Sequence, residues 1–366
     1  MLIPKKILPN LTLLFSITLT SLLTLSSSYA QSPNSSLASN GCLNVVIAND
    51  FAYAACGQEI EVISLTTLER RLINVAADDI SADAQAGLLF TQSGRNITML
   101  SLSNPFQPSV ITTATTNFSV FSGLSASSGV LAISGGAGSA DTQIYTYTTN
   151  SLSLQTDGIP AIDSATGNPD VLLNQTPSGI TAYYSQDIGG VANFAIQPVS
   201  LSNQGAVISI EDDVVLTPGR FDFSLDLGPS NFPVESEFLN GRLYVAHFAA
   251  QGIEVINTAN NNQLEQVIPL EFVPTNIASD GSLLFVVGSN NNSVVVIDPN
   301  TQTELTALES EQILDRPTGV AASNTHIAVA DRTNGLVIIN RTPISEPNPE
   351  ISTILPAIMF LLDEDK

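Results

Sequence analysis

The sequence predicts an all-β chain, a seven-bladed β-propeller built of short antiparallel four-stranded blades. Three observations carry this. A hairpin of two β-rich strands recurs seven times along the 366 residues. Apolar residues follow period two or run continuously, with no long amphipathic helical stretch. The 23 Gly and 20 Pro punctuate the chain at turn intervals. One small sheet cannot bury both faces, but stacked radially each sheet covers its neighbour and few edges stay open. Two packed sandwiches are the rival all-β arrangement, and they do not predict seven copies of one hairpin.

Residues 1–30 precede the fold and read as a cleavable signal peptide. Lys5 and Lys6 give a positive start, residues 11–25 are apolar but diluted by Thr and Ser, and Ser28-Tyr29-Ala30 places small residues before Gln31. Pro9 and the hydroxyl-rich run speak against an anchoring helix. Cys42 lies well past the apolar run, so it does not read as a lipidation site. Residues 31–41 then form an N-terminal linker, 42–342 the propeller, and 343–366 a Pro-containing tail. The apolar part of that tail, 351–362, is about half the length that spans a bilayer.

The hairpins follow in order. Residues 51–55 lead through Gly57-Gln58 into 60–64, and 88–91 through Gly94-Arg95-Asn96 into 97–101. Residues 130–134 with 144–147, and 180–184 with 194–196, are two weaker copies. Residues 243–246 lead through Gln251-Gly252 into 253–257, 283–287 through Asn290-Asn291-Asn292 into 294–298, and 327–330 through Asn334-Gly335 into 336–340. Strand, tight Gly/Asn turn, strand is the hairpin pattern. With Ile60, Ile97, Ile144, Phe194, Ile253, Val294 and Leu336 taken as equivalent, the spacings are 37, 47, 50, 59, 41 and 42 residues. Units of about 40–50 residues suit propeller blades.

The stretch 281–301, Gly-Ser-Leu-Leu-Phe-Val-Val-Gly-Ser-Asn-Asn-Asn-Ser-Val-Val-Val-Ile-Asp-Pro-Asn-Thr, resembles one repeat of the YVTN-type seven-bladed propellers. The Leu336 unit, and Ser101-Leu102-Ser103-Asn104-Pro105 with Pro108, resemble the related LVIVD repeats of bacterial surface and secreted proteins. The resemblance extends over units one, two, five, six and seven. It implies the fold and an extracytoplasmic setting. It implies little chemistry, because such families include binding proteins, surface proteins and lactonase-like enzymes.

Cys42 and Cys56 flank the first hairpin. If its turn centres on Asn49, residues whose numbers sum to 98 oppose each other, and these two cysteines do. Opposed residues on antiparallel strands can carry a cross-strand disulfide, and an exported protein allows oxidation.

Charge excludes whole classes of function. The chain has 11 Lys+Arg against 34 Asp+Glu, a formal charge of −23, which becomes −25 when Lys5 and Lys6 leave with the signal. Such a surface avoids nucleic acid, whose phosphates need clustered cations. Two Cys and two His are too few for a zinc ribbon or a His-rich metal centre.

No P-loop, Gly-x-Ser-x-Gly, His-Glu-x-x-His or EF-hand pattern occurs. The Gly-rich run 135–139 reads as a hairpin loop, and His247 and His326 as structural strand residues. Acidic residues are the remaining candidates. Asp78, Asp79, Glu211, Asp212, Asp213, Asp280, Asp315 and Asp331 fall at or near strand ends, where blade rims and the channel open. Of these, Asp79, Asp213, Asp280 and Asp331 are the candidates to hold Ca²⁺ through carboxylate oxygens, against the alternative of a solvated acidic rim. The longest inter-unit spacing contains 211–237, where Glu211, Asp212, Asp213, Asp222, Asp226, Glu235 and Glu237 stand against Arg220 alone. Phe221, Phe223, Phe232 and Phe238 are interleaved with them. This segment is expected to fold back on one face as a binding loop carried by Glu211, Asp212, Asp213, Asp222, Asp226, Phe232, Glu235 and Glu237. The alternative is that it supplies ordinary blade strands.

The sequence therefore reads as an exported monomer that binds an extracellular protein or glycan at the cell surface or in the envelope. It is expected to bind no nucleic acid and to keep no membrane span after signal cleavage. A lactonase-like hydrolase with a metal in the channel, and a purely structural envelope component, are the alternatives.

Overall fold

The computed structural model describes residues 41–117, 120–136, 142–159, 170–176, 179–187, 194–217, 234–247, 251–288, 291–309 and 314–341. The expected signal peptide lies outside the described residues, as do nearly all of the linker and the tail 343–366. The unit described here runs from Gln31 to Ile339. All its elements among the described residues are strands.

Blade 1 is β1 (Asn44–Ala48), β2 (Phe51–Ala55), β3 (Ile60–Ser64) and β4 (Arg70–Ile73), hydrogen-bonded in that order. Blade 2 is β5 (Asp79–Asp83), β6 (Leu88–Ser93), β7 (Asn96–Ser101) and β8 (Ser109–Thr115). Blade 3 is β9 (Val120–Ser127), β10 (Val130–Gly136), β11 (Thr142–Thr148) and β12 (Ser151–Asp157). Blade 4 is β13 (Val171–Thr176), β14 (Gly179–Asp187), β15 (Phe194–Leu201) and β16 (Val207–Ile210), with β17 (Val214–Val215) added on β15. Blade 5 is β18 (Val234–Leu239), β19 (Arg242–His247), β20 (Gly252–Asn257) and β21 (Gln263–Pro269). Blade 6 is β22 (Asn276–Ser279), β23 (Leu284–Gly288), β24 (Ser293–Asp298) and β25 (Thr303–Glu309). Blade 7 has three strands among the described residues, β26 (Pro317–Ala322), β27 (His326–Asp331) and β28 (Gly335–Asn340).

The first strand of every blade packs on the first strand of the next, and β26 returns to β1. The seven expected hairpins are the second and third strands of the seven blades. They are legible because they are buried on both sides. Each blade interface holds one apolar cluster, from Tyr53, Ile60 and Val62 with Ile80, Leu89 and Leu100 between blades 1 and 2, to Ala52, Ala54 and Ile63 with Ala328 and Leu336 between blades 7 and 1. Fully burying one such side chain is worth about 1.5–3 kcal/mol. Four blades share a finer feature. Tyr53, Phe90, Tyr244 and Phe285 are fully buried at the middle of the second strand, opposite Val62, Met99, Val255 and Val296 of the third.

The first hairpin corrects the expected register. Asn44 opposes Ala55 and Ala48 opposes Phe51, so the turn is the pair Asn49-Asp50 rather than Asn49 alone. Both have positive φ, 50° and 59°, as a two-residue type I′ turn requires. At the open end the pairing slips by one. Leu43 N–H donates to Ala55 O at 2.8 Å, so Leu43 and Asn44 both face Ala55. That slip brings Cys42 opposite Cys56, and the two form a disulfide with Cα atoms 4.1 Å apart.

Blades 2 to 6 repeat one irregularity between the third and fourth strands. The fourth strand carries one extra residue, namely Ile111, Gln155, Ile208, Glu265 and Leu305. Such bulges bend a strand and raise its twist, as an outer strand needs when it wraps a radial stack.

Candidate functional site in the central channel

The inner strands surround a channel of about 310 Å³. Its polar lining includes Asn44, Asp79, Asp170, Glu235, Glu237 and Asn276, with Ser81, Ser125, Ser236 and Ser279, and among the described residues no Lys, Arg or His lines it. The placement follows from local sequence. In four blades Asn or Asp followed by a β-branched residue opens the inner strand or stands just before it: Asn44-Val45, Asp79-Ile80, Asp170-Val171 and Asn276-Ile277. The short Asx side chain reaches nearby backbone. Asn44 Oδ1 accepts from Val45 N–H and Asp79 Oδ1 from Ile80 N–H, each at 2.8 Å. The adjoining strand β9 leaves space for Asp170, since a Cβ on Gly123 would lie 2.7 Å from Asp170 Oδ1.

These side chains also stitch the ring together. Asn44 Nδ2 donates to Asp79 Oδ1 at 2.6 Å, from blade 1 to blade 2. Ser81 Oγ accepts from Ala126 N–H at 3.0 Å, and Ser125 Oγ from Leu173 N–H at 3.0 Å. Ser236 Oγ donates to Asp170 Oδ2 at 3.5 Å, and Ser279 Oγ to Glu237 Oε1 at 2.8 Å. Val320 N–H donates to Asn276 Oδ1 at 3.2 Å, and Thr318 Oγ1 to Cys42 O at 3.1 Å. Every one of the seven interfaces is thus bridged at its inner edge.

The four carboxyls hold their protons more tightly than usual. Burial pushes Asp79 up to about 6, although the Asn44 amide and Ile80 N–H pull it down. Burial, then the charge of Asp79, pushes Asp170 up to about 7. Glu235 is raised well above the ordinary range by burial and by the charges of Asp170 and Asp79. Burial takes Glu237 to about 7 against the Ser279 hydroxyl and Phe238 N–H. Near neutral pH the group is therefore only partly ionised, and a cation entering the channel would draw protons off it.

Of the other predicted residues, those described outside β18 are placed apart from the channel. Glu211, Asp212 and Asp213 are exposed between β16 and β17, with Glu211 Oε2 accepting from Asn262 Nδ2 at 2.7 Å. Asp222, Asp226 and Phe232 lie outside the described residues. Glu235 and Glu237, expected on the same loop, stand on the inner strand β18 instead, and Phe238 packs into the cluster between blades 4 and 5. Asp280 Oδ1 closes the turn after β22 by accepting from Ser282 N–H and Leu283 N–H, each at 2.7 Å. Asp331 is wholly buried, and its carboxylate takes four backbone N–H groups, from Asp315, Arg316, Thr333 and Asn334, at 2.7–3.0 Å. Asp79, Asp213, Asp280 and Asp331 thus do not meet. Among the described residues the one trio of close metal-ligand atoms is Cys42, Cys56 and Glu61, and its cysteines are spent in the disulfide.

Glu61 and Glu254 serve the framework. They hold the same place on β3 and β20, both fully buried, and each reaches the preceding blade. Glu61 Oε1 accepts from Arg70 Nη1 at 2.8 Å, and its Oε2 from Leu336 N–H of blade 7 at 3.3 Å. Glu254 Oε1 accepts from Thr217 N–H, just past β17, at 2.7 Å, and its Oε2 lies 3.5 Å from His247 Nδ1. His247 therefore packs inside blade 5 and does not line the channel.

Sequence reasoning missed Asp170, Asn44 and Asn276. The signal that marks them is the Asx–β-branched pair recurring seven to ten residues before four of the seven hairpins.

No family model matches the chain, and no curated protein sequence matches it. Solved structures do match its fold. The chain is similar to hydrazine synthase of Kuenenia stuttgartiensis at 12% identity and TM-score 0.62, over 86% of this chain and 99% of that one. It is similar to a streptogramin B lyase at 13% identity and TM-score 0.59, over 84% and 95%. It is similar to virginiamycin B lyase from Staphylococcus aureus at 10% identity and TM-score 0.58, over 83% and 95%. At such identities the likeness is one of fold alone, and these folds serve different chemistries.

Proposed function

We propose that the chain is an exported binding module that receives a cationic group, such as a primary amine or guanidinium of an extracellular ligand, in its channel. One observation carries the reading: four half-buried carboxyls line a pre-formed channel of about 310 Å³, and no basic residue lines it among the described residues. A cavity with a few convergent polar groups of shifted pKa is the usual form of a ligand site. The disulfide fits an oxidising compartment, and the Lys5-Lys6 start with the apolar run to Leu25 fits export. The resemblance to YVTN and LVIVD repeats belongs to the same reading, since those families work outside the cytoplasm. The described residues support the hydrolase alternative less, because their channel carboxylates do not gather three ligand atoms for one metal.

The test is isothermal titration of the secreted chain with spermidine, with arginine amide and with CaCl₂, at pH 6 and pH 8. The amines should bind, more tightly at pH 8, and Glu235→Gln should weaken them at least ten-fold. Binding of Ca²⁺ alone would favour the metal reading. No binding by any of the three, or amine binding untouched by Glu235→Gln, would overturn the channel assignment.

A further inference from the structure

In blades 1 to 6 the fourth strand is the outermost of its sheet among the described residues, and most of these strands carry guards. Arg70 and Arg71 stand in β4, Glu265 in β21 and Glu304 in β25, while β8 is rich in Thr. Charges and polar groups on an edge keep other strands from pairing there. Strand β16 of blade 4 has no charge and one polar residue, Ser209. It reads Val207-Ile208-Ser209-Ile210, every residue is exposed, and Ile208 is 66% accessible. Val215 of β17 continues the same outer edge along β15 and is 54% accessible. Half of the large exposed hydrophobics among the described residues fall between 207 and 215.

We propose that the outer edge of β16 is a docking site for an extended partner segment that carries aliphatic residues next to Lys or Arg and joins blade 4 as an added strand. Main-chain hydrogen bonds would supply affinity and the exposed Val and Ile side chains a matching surface. Charge selects the partner. Glu211, Asp212 and Asp213 follow the strand directly, and the Asn262 amide holds Glu211 in place. An incoming basic residue meets these carboxylates. A second copy of the chain would bring its own acidic run and a formal charge of −23 against them, so charge opposes self-association through this edge. The extra residue Ile208 in the bulge does not set β16 apart, since four other outer strands have one too. Its apolar character does.

The experiment measures fluorescence anisotropy of a labelled nine-residue peptide alternating Val and Lys against the full secreted chain. A Val/Glu peptide is the control. The Val/Lys peptide should bind at least ten-fold more tightly than the Val/Glu peptide and weaken with salt. Ile208→Lys should lower its affinity at least ten-fold with the melting temperature unchanged, and bound peptide should slow amide exchange in 207–210. Equal binding of both peptides, no binding, or exchange protection in β18 instead of β16 would overturn the proposal. So would a concentration-dependent dimer that Ile208→Lys dissolves, because a second copy would then be the occupant.

Discussion

Tyr53 donates its hydroxyl to the carbonyl of Pro105 at 2.9 Å, from the second strand of blade 1 to the loop after the third strand of blade 2. Tyr244 repeats the bond to Pro299, at 3.5 Å, from blade 5 to blade 6. The prolines that follow the third strands in the repeat thus present acceptors to the blade before. Tyr53→Phe should cost about 1 kcal/mol, the worth of one buried hydrogen bond. Urea unfolding monitored by fluorescence of the remaining tyrosines would measure it.

Removing the disulfide should cost more. Cys42 and Cys56 are separated by 14 positions, and closing a loop of that size contributes about 3 kcal/mol in the chain-entropy model. The Cys42→Ala/Cys56→Ala double variant should melt well below the oxidised protein. The same loss should follow reduction of the unmutated chain with dithiothreitol.

Arg70 clamps blade 1 to blade 7, since its Nη1 meets both Glu61 Oε1 and Leu336 O, the latter at 3.0 Å. Arg70→Ala leaves Glu61 buried without its cation and should destabilise by about 3 kcal/mol. Adding Glu61→Gln should recover part of that loss. Chemical denaturation of the two variants distinguishes the charge effect from lost packing.

Stability of the unliganded protein should fall as pH rises. Asp79, Asp170 and Glu237 have native pKa values of about 6, 7 and 7, above their ordinary values of 3.8, 3.8 and 4.5. The unfolded chain releases these protons first, so the benefit is whole below about pH 4 and is lost by the time pH passes about 7. Thermal melts from pH 5 to pH 8 should show a falling transition temperature from these groups. Glu237→Gln should flatten the slope, and a bound amine should raise the curve at pH 8.

The buried middle of each blade was plain in the sequence, and its two margins were not. Ser293–Asp298 holds an unbroken aliphatic run, and Ile60–Ser64 one broken only by Glu61, because neighbouring blades cover both faces. The inner strands Asp79–Asp83 and Val234–Leu239 break that pattern, because the channel rewards carboxyls there. The outer strand Ser151–Asp157 is polar because water covers it. Glu235 and Glu237 were singled out as acids but assigned to a loop with Glu211, since a short inner strand bearing two Glu carries no β signature. Asp170 escaped notice for a related reason. One Asp before Val171 is unremarkable alone and acquires meaning only when Asn44, Asp79 and Asn276 are set beside it.

A stack of repeats laid in a line unravels from its free ends, where the last unit has one neighbour instead of two. The bridges that run from Asn44 through Asp79, Ser81, Ser125, Asp170, Glu237 and Asn276 to Thr318, and on to Cys42, leave the inner rim of this protein no such end. Losing one blade therefore strips two others of a partner at once. Unravelling is expected to spread both ways around the rim in a single step.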